Sequence, residues 1–139
     1  MVVRKTPLER FAEKVVPDQD GHWRWAGFID KGGYGRFYFG GRMAGAHQAA
    51  WKIFIGPIPT GLEPDHVCRI RDCANPTHLE IVTRKENVLR GAGPSAVHAR
   101  QTHCRRGHEF TPENTLIRLT GRRCRACYRQ WQWDRRHAT

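Results

Sequence analysis

Asp65-His66-Val67-Cys68-Arg69-Ile70-Arg71-Asp72-Cys73-Ala74-Asn75-Pro76-Thr77-His78-Leu79, with Thr83-Arg84-Lys85-Glu86-Asn87 close behind, is the stretch whose reading decides the fold. Cys68, Cys73 and His78 stand at the short spacings of a structural metal site. Three ligands leave a tetrahedral shell one short, and His22, His47 and His66 are all candidates for the fourth place. His66 lies beside an acid, Asp65, which suggests chemistry instead. Leu62–Val67 and His78–Val82 read as short strands. Thr83 with Glu86 three positions on is a capping box that starts a helix and puts Asn87 in its early turns. The order is therefore strand, loop, strand, helix.

Upstream, Thr6, Pro7 and Glu9 form another capping box, predicting a helix over 5–16 with Leu8, Phe11, Ala12 and Val15 as its apolar face. The run 17–21 is a turn. Residues 22–25 begin a strand, Asp30-Lys31-Gly32-Gly33 reads as a hairpin turn, and 34–39 return. In that hairpin Trp23, Trp25, Phe37 and Phe39 share a packed face, with Arg24, Arg36 and Tyr38 opposite. Residues 43–54 fit a buried helix stopped by Gly56-Pro57. His47 falls inside it and reads as a packed core residue.

Downstream, 91–102 is small and polar, as a linker would be. Beyond it Cys104, His108, Cys124 and Cys127 form a complete four-ligand set, the tetrahedral number for structural zinc. Residues 125–136 suit a terminal helix carrying Tyr128, Trp131 and Trp133. The expected division is 1–94, a core with N-terminal helix and hairpin, and 95–139, a basic zinc-binding unit.

Composition agrees. The chain has 139 residues, 39% of them hydrophobic, a formal charge of +11 and five cysteines. So thin a core calls for support from a metal or a partner. The charge argues for a polyanionic partner. It is concentrated late: residues 98–139 hold ten arginines against three acids, and arginine presents a rigid fork to phosphate. An odd cysteine number with metal-like spacing argues for a reducing, cytoplasmic setting rather than a disulfide framework. No apolar run is long enough to span a membrane, and no signal-peptide core is expected.

Residues 65–87 resemble the HNH, or ββα-metal, nucleases, above all the phage-type enzymes and the Cys/His-box homing endonucleases. The resemblance is carried by His66, Cys68, Cys73, Asn75-Pro76, His78-Leu79 and Asn87. It extends upstream through Trp23-Arg24-Trp25-Ala26-Gly27, Gly33-Tyr34-Gly35-Arg36-Phe37, Ala46-His47 and Gly56-Pro57-Ile58-Pro59-Thr60-Gly61, covering about residues 22–91. It implies an α+β fold: a small zinc-stabilised ββα-metal (His-Me finger) nuclease with an N-terminal hairpin and a C-terminal zinc-binding unit.

Relatives carry a cysteine ligand just before the first tryptophan, where this chain has His22. The resemblance thus implies His22, Cys68, Cys73 and His78 as one structural zinc site, beside Cys104, His108, Cys124 and Cys127. It makes His66 the general base, Asp65 and Asn87 the holders of one catalytic Mg²⁺ or Mn²⁺, and Arg36 a grip on the scissile phosphate. Asn75 would brace the loop through a contact that orients His66. The implied activity is divalent-metal-dependent hydrolysis of double-stranded DNA to 5′-phosphate and 3′-hydroxyl ends, in the cytoplasm of a bacterial or phage-infected cell. One site cuts one strand, so a clean double-strand break implies a homodimer. The competing reading is a non-catalytic, zinc-stabilised DNA-binding module, which explains the arginines and both zinc sets but leaves His66 and Asn87 without a task.

Overall fold

A computed structural model describes residues 4–138. It divides into two compact units, 1–90 and 91–139.

The first unit opens with α1 (Pro7–Ala12). Both bonds of its capping box form: Glu9 N–H donates to Thr6 Oγ1, and the Thr6 N–H donates to Glu9. The helix is shorter than the sequence pattern suggests, because Val15 leaves it for β1 (Val15–Pro17). That strand pairs antiparallel with β2 (Trp23–Trp25), placing Val15 opposite Trp25.

The hairpin expected between 22–25 and 34–39 does not form. Instead β3 (Arg36–Phe39) pairs with β4 (Arg42–Gly45). The turn between them is Gly40-Gly41, with φ of 59° and 81°. Two consecutive positive φ values give a turn whose twist matches a tight hairpin, and glycine adopts them freely. The Asp30–Gly33 segment does turn back on itself, with Ile29 bridging Gly35, but it closes a loop rather than a ladder. The next helix, α2 (Ala46–Phe54), starts three residues later than the expected span, since Met43 belongs to β4.

Phe11, Trp25, Phe37, Ala46, Ala49, Ala50 and Ala74 form the core, flanked by Val15, Trp23, Phe39 and Ile53. Phe11 is fully buried, with Trp25, Phe37 and Phe54 rings around it at 5.1, 5.4 and 5.8 Å. The packed aromatic face of the sequence reading is therefore present, though built from two different hairpins. Alanines at i, i+3 and i+4 of α2 let these rings approach the helix.

After a Pro/Gly loop, β5 (Leu62–His66) pairs antiparallel with β6 (Leu79–Thr83), His66 opposite Leu79 and Asp65 opposite Glu80. A single 3₁₀ turn, Pro76–His78, leads into β6. The helix α3 (Arg84–Arg90) follows, with Thr83 and Glu86 completing its capping box.

In the second unit the expected linker contains a helix, α4 (Pro94–Arg100), which Pro94 opens and which buries Ala96. Then β7 (Thr115–Arg118) and β8 (Gly121–Cys124) form a hairpin, and α5 (Arg125–Arg136) ends the unit over the span read from sequence. Among the described residues, no helix is long and apolar enough to cross a membrane.

Candidate functional site

A cavity of about 220 Å³ in the first unit is lined by Asp30, Tyr34, Arg36, Gly45, His47, Gln48, Glu63, Pro64, Asp65, His66 and Asn87. Five elements converge on it, β3 and β4 through Arg36 and Gly45. The strand β5 contributes Glu63, Asp65 and His66; the start of α2 contributes His47 and Gln48; and α3 contributes Asn87. The capping box of α3 sets the phase of that helix, and Asn87 Nδ2 then donates to Glu63 Oε1 at 2.7 Å. That bond leaves Asn87 Oδ1 without a protein partner among the described residues. Asp65, Asn87, His66 and Arg36, singled out in the sequence, are thus brought together at one cavity.

His66 is buried, and its Nε2 lies 2.9 Å from the Cys73 carbonyl oxygen. A carbonyl only accepts, so Nε2 carries the proton and Nδ1 keeps the lone pair. Burial pushes the imidazole below its ordinary pKa, against the opposing pull of the Cys73 hydrogen bond and Asp65. It is therefore a neutral base at neutral pH. The anchor is the Cys73 carbonyl and not Asn75, as the sequence reading expected. Asn75 instead ties the loop down elsewhere: Nδ2 donates to Gly21 O at 2.7 Å, and Oδ1 accepts from Thr77 N and Oγ1.

Asp65 is also buried. Arg69 donates to both of its carboxylate oxygens at 3.1 Å, and Arg90 stands 3.8 Å away. Arg69 is held at φ 59°, a left-handed conformation uncommon for a residue with a side chain. Arg36 lies on the cavity wall, 3.9 Å from Asp30, and donates to Met43 O.

His47 is a residue the sequence reading placed in the core. It does pack, but against the site: its ring centroid is 4.6 Å from that of His66 and 5.7 Å from Tyr34. Its Nδ1 is buried without a partner. Burial first, then His66 and Arg36, push its pKa down to about 3, so it stays neutral. Glu63 was missed as well. It sits two residues before Asp65, on the same side of the strand by the period of two, which is the signal that points to it.

Each unit carries one Cys/His cluster that could hold a metal ion. In the first, the ligand atoms of His22, Cys68, Cys73 and His78 all lie within 4.8 Å of one another. Backbone pairing brings them together: Ala74 N donates to Trp23 O and Trp25 N donates to Asp72 O, so Cys73 is delivered beside His22. The second cluster is Cys104, His108, Cys124 and Cys127, equally close. Zinc bonded to S at about 2.3 Å and N at about 2.0 Å gives tetrahedral edges of about 3.8 Å for S···S and about 3.5 Å for S···N. The observed separations are 3.7 Å for Cys104–Cys127, 3.5, 3.7 and 3.3 Å from His108 to Cys104, Cys124 and Cys127, and 3.6 Å for Cys73–His78. The second donor set has the size of a zinc shell, and the Cys73–His78 edge of the first has the same length. Asn114, unremarked in the sequence, supports the second: it donates to Cys124 Sγ and accepts from the Ala126 N–H. Burial opposes ionisation of Cys124, yet hydrogen bonds from the Cys127 backbone, Asn114 and the neighbouring thiols draw its pKa down to about 6.

Residues 44–89 match the family model described as HNH endonuclease. Over 74 residues the chain is 34% identical to the "Uncharacterized gene 5.3 protein" of Enterobacteria phage T3, covering 52% of this chain and 66% of that one. It is 35% identical over 63 residues to "Protein 7.7" of Escherichia phage T7, covering 45% and 48%, and 31% identical over 81 residues to "Protein 2.8" of the same phage, covering 57% and 55%. The chain thus spans between about half and two thirds of these relatives. No solved structure matches it. The matched segment runs from β4 to α3 and contains His47, Asp65, His66 and Asn87. Over that segment the chain is similar to the HNH endonuclease family, and the relatives it matches are phage proteins.

Proposed function

We propose that the protein is a divalent-cation-dependent DNA endonuclease, with His66 as general base. The observation that carries this reading is one cavity shared by a buried neutral imidazole and three hard oxygen donors, Asp65, Glu63 and Asn87. Such oxygens suit Mg²⁺ or Mn²⁺ rather than zinc. Asp65 and Asn87 would hold the cation, with Asn87 offering its unpartnered Oδ1. When bound, it supplies charge neutralisation at a phosphate oxygen and at the leaving 3′ oxygen.

The chain's own residues do the rest. His66 Nδ1 takes a proton from water as the water oxygen bonds to phosphorus, and the P–O3′ bond breaks. The 3′ oxygen is protonated by solvent, leaving a 5′-phosphate and a 3′-hydroxyl. The Cys73 carbonyl holds the imidazole in the tautomer this requires. Arg36, on the cavity wall, offers a guanidinium to the phosphate. The two Cys/His clusters hold structural zinc, one in each unit. Double-stranded DNA is the substrate, met in the cytoplasm of an infected bacterium, and paired cuts on both strands call for two copies of the chain.

The test is cleavage of supercoiled plasmid by the zinc-loaded wild type and His66→Ala, with and without added Mg²⁺ or Mn²⁺. Cation-dependent nicking or linearisation, lost in the variant while DNA binding persists, supports the reading. A folded wild type that binds DNA and cuts no substrate with any cation refutes it, and leaves a zinc-stabilised DNA-binding module.

A further inference from the structure

The second unit has a recess of its own. It is an open recess of about 550 Å³ lined by Arg105, Arg106, Arg123, Tyr128 and Trp131, with Cys104, Cys124 and Cys127 as one wall. That is far more space than an ion needs and within the range of a ligand pocket. Tyr128 and Trp131 stand one turn apart on α5 with their rings nearly parallel, 24° and 5.7 Å between centroids. The Arg135 guanidinium lies over the Trp131 ring at 4.9 Å. Trp131 is nonetheless about half exposed.

The arginines here are not consumed by the fold. Arg122 is: it stacks on Phe110 and bonds the His98 and Gln101 carbonyls. The guanidiniums of Arg105, Arg106 and Arg123 have no ion pair or hydrogen bond among the described residues, and none of the unit's acids lines the recess. An aromatic floor ringed by unpaired guanidiniums fits a flat ring that carries phosphates on either side. In a duplex the rings are stacked and present only their edges. An unpaired strand offers the faces.

We propose that this recess is a nucleobase-stacking subsite for unpaired DNA, with Trp131 and Tyr128 receiving one base and Arg105, Arg106 and Arg123 its flanking phosphates. The proposal rests on DNA as the partner and not on catalysis, so it is tested by binding with no divalent cation added. The full, zinc-loaded chain is titrated into a fluorescein-labelled thymidine strand, the same strand with abasic residues throughout, a hairpin duplex with as many phosphates, and a uridine strand. The abasic strand keeps every phosphate and loses every base.

Wild type binds the thymidine strand about tenfold more tightly than the abasic one, the effect of stacking one base. Trp131→Ala reduces that ratio to near one, and Trp131→Phe keeps most of it. Zinc content and circular dichroism confirm that each variant is folded, and Arg123→Gln, which spares the floor, weakens both strands equally. Equal affinity for the thymidine and abasic strands in the wild type overturns the proposal in favour of a simple phosphate patch. Duplex preferred over the single strand, with Trp131→Ala acting on the duplex, overturns it in favour of a groove contact, and tighter binding of the uridine strand reassigns the recess to RNA. None of these outcomes depends on whether the plasmid is cut.

Discussion

Replacing His22 by alanine should weaken zinc binding at its Cys/His cluster and destabilise the first unit. His22 Nδ1 lies 3.0 Å from His78 Nδ1, and all four donor atoms fall within 4.8 Å. The site joins the start of β2 to residues about fifty positions later. Structural zinc contributes about 10–16 kcal/mol in small metal-dependent folds, so one ligand of four is worth about 3 kcal/mol. That corresponds to about a hundredfold weaker zinc binding, since about 1.4 kcal/mol is tenfold. At saturating zinc the same loss lowers folding stability by nearly as much. For a unit of this size the melting temperature should fall by roughly 10–20 °C. Metal per chain after dialysis against a weak chelator, with melting followed by circular dichroism, measures both. Wild type and His22→Cys should retain two zinc ions, and His22→Ala should retain one. A His22→Ala protein that keeps two zinc ions and the wild-type melting temperature would refute the ligand assignment.

Four further outcomes follow from the geometry. The acid limb of the cleavage profile should lie below pH 6.5, because burial lowers the His66 pKa and the base stays unprotonated further into acid; a limb above 6.5 contradicts it. His47 goes from an ordinary 6.5 to about 3 on folding, so its contribution is complete above pH 6.5 and is lost as pH falls towards 3. That loss is on the order of 4 kcal/mol, and urea titrations should show a flatter pH dependence in His47→Gln than in wild type. Gly35→Ala places a Cβ 2.6 Å from Trp25 Cγ and 3.0 Å from Ala46 Cβ, which overpacks the core and should cost about 1–3 kcal/mol in thermal melts. Arg69→Gly relieves the left-handed strain that Arg69→Ala retains, so glycine should be about 1 kcal/mol the more stable of the two, both having lost an ion pair whose Arg69 end is half exposed.

What the sequence determined by itself was local. Capping boxes at Thr6 and Thr83 join residues three apart, so their helix starts were legible, and with the second came the position of Asn87. The Cys/His spacings, the strand–turn–strand around His66 and the span of α5 are also short-range patterns. Tertiary structure decided what depends on distant partners. The aromatic faces of β2 and β3 looked complementary enough to pair, but the Gly40-Gly41 turn gave β3 a nearer partner and β2 took β1. The choice of His22 over His47 and His66 beside Cys68, Cys73 and His78 was made by the backbone pairing of residues 23–25 with 72–74, which no spacing encodes. Burial then separated three histidines that are chemically alike in the chain: one beside two cysteines, one anchored to a carbonyl with a free lone pair, and one pressed against its ring.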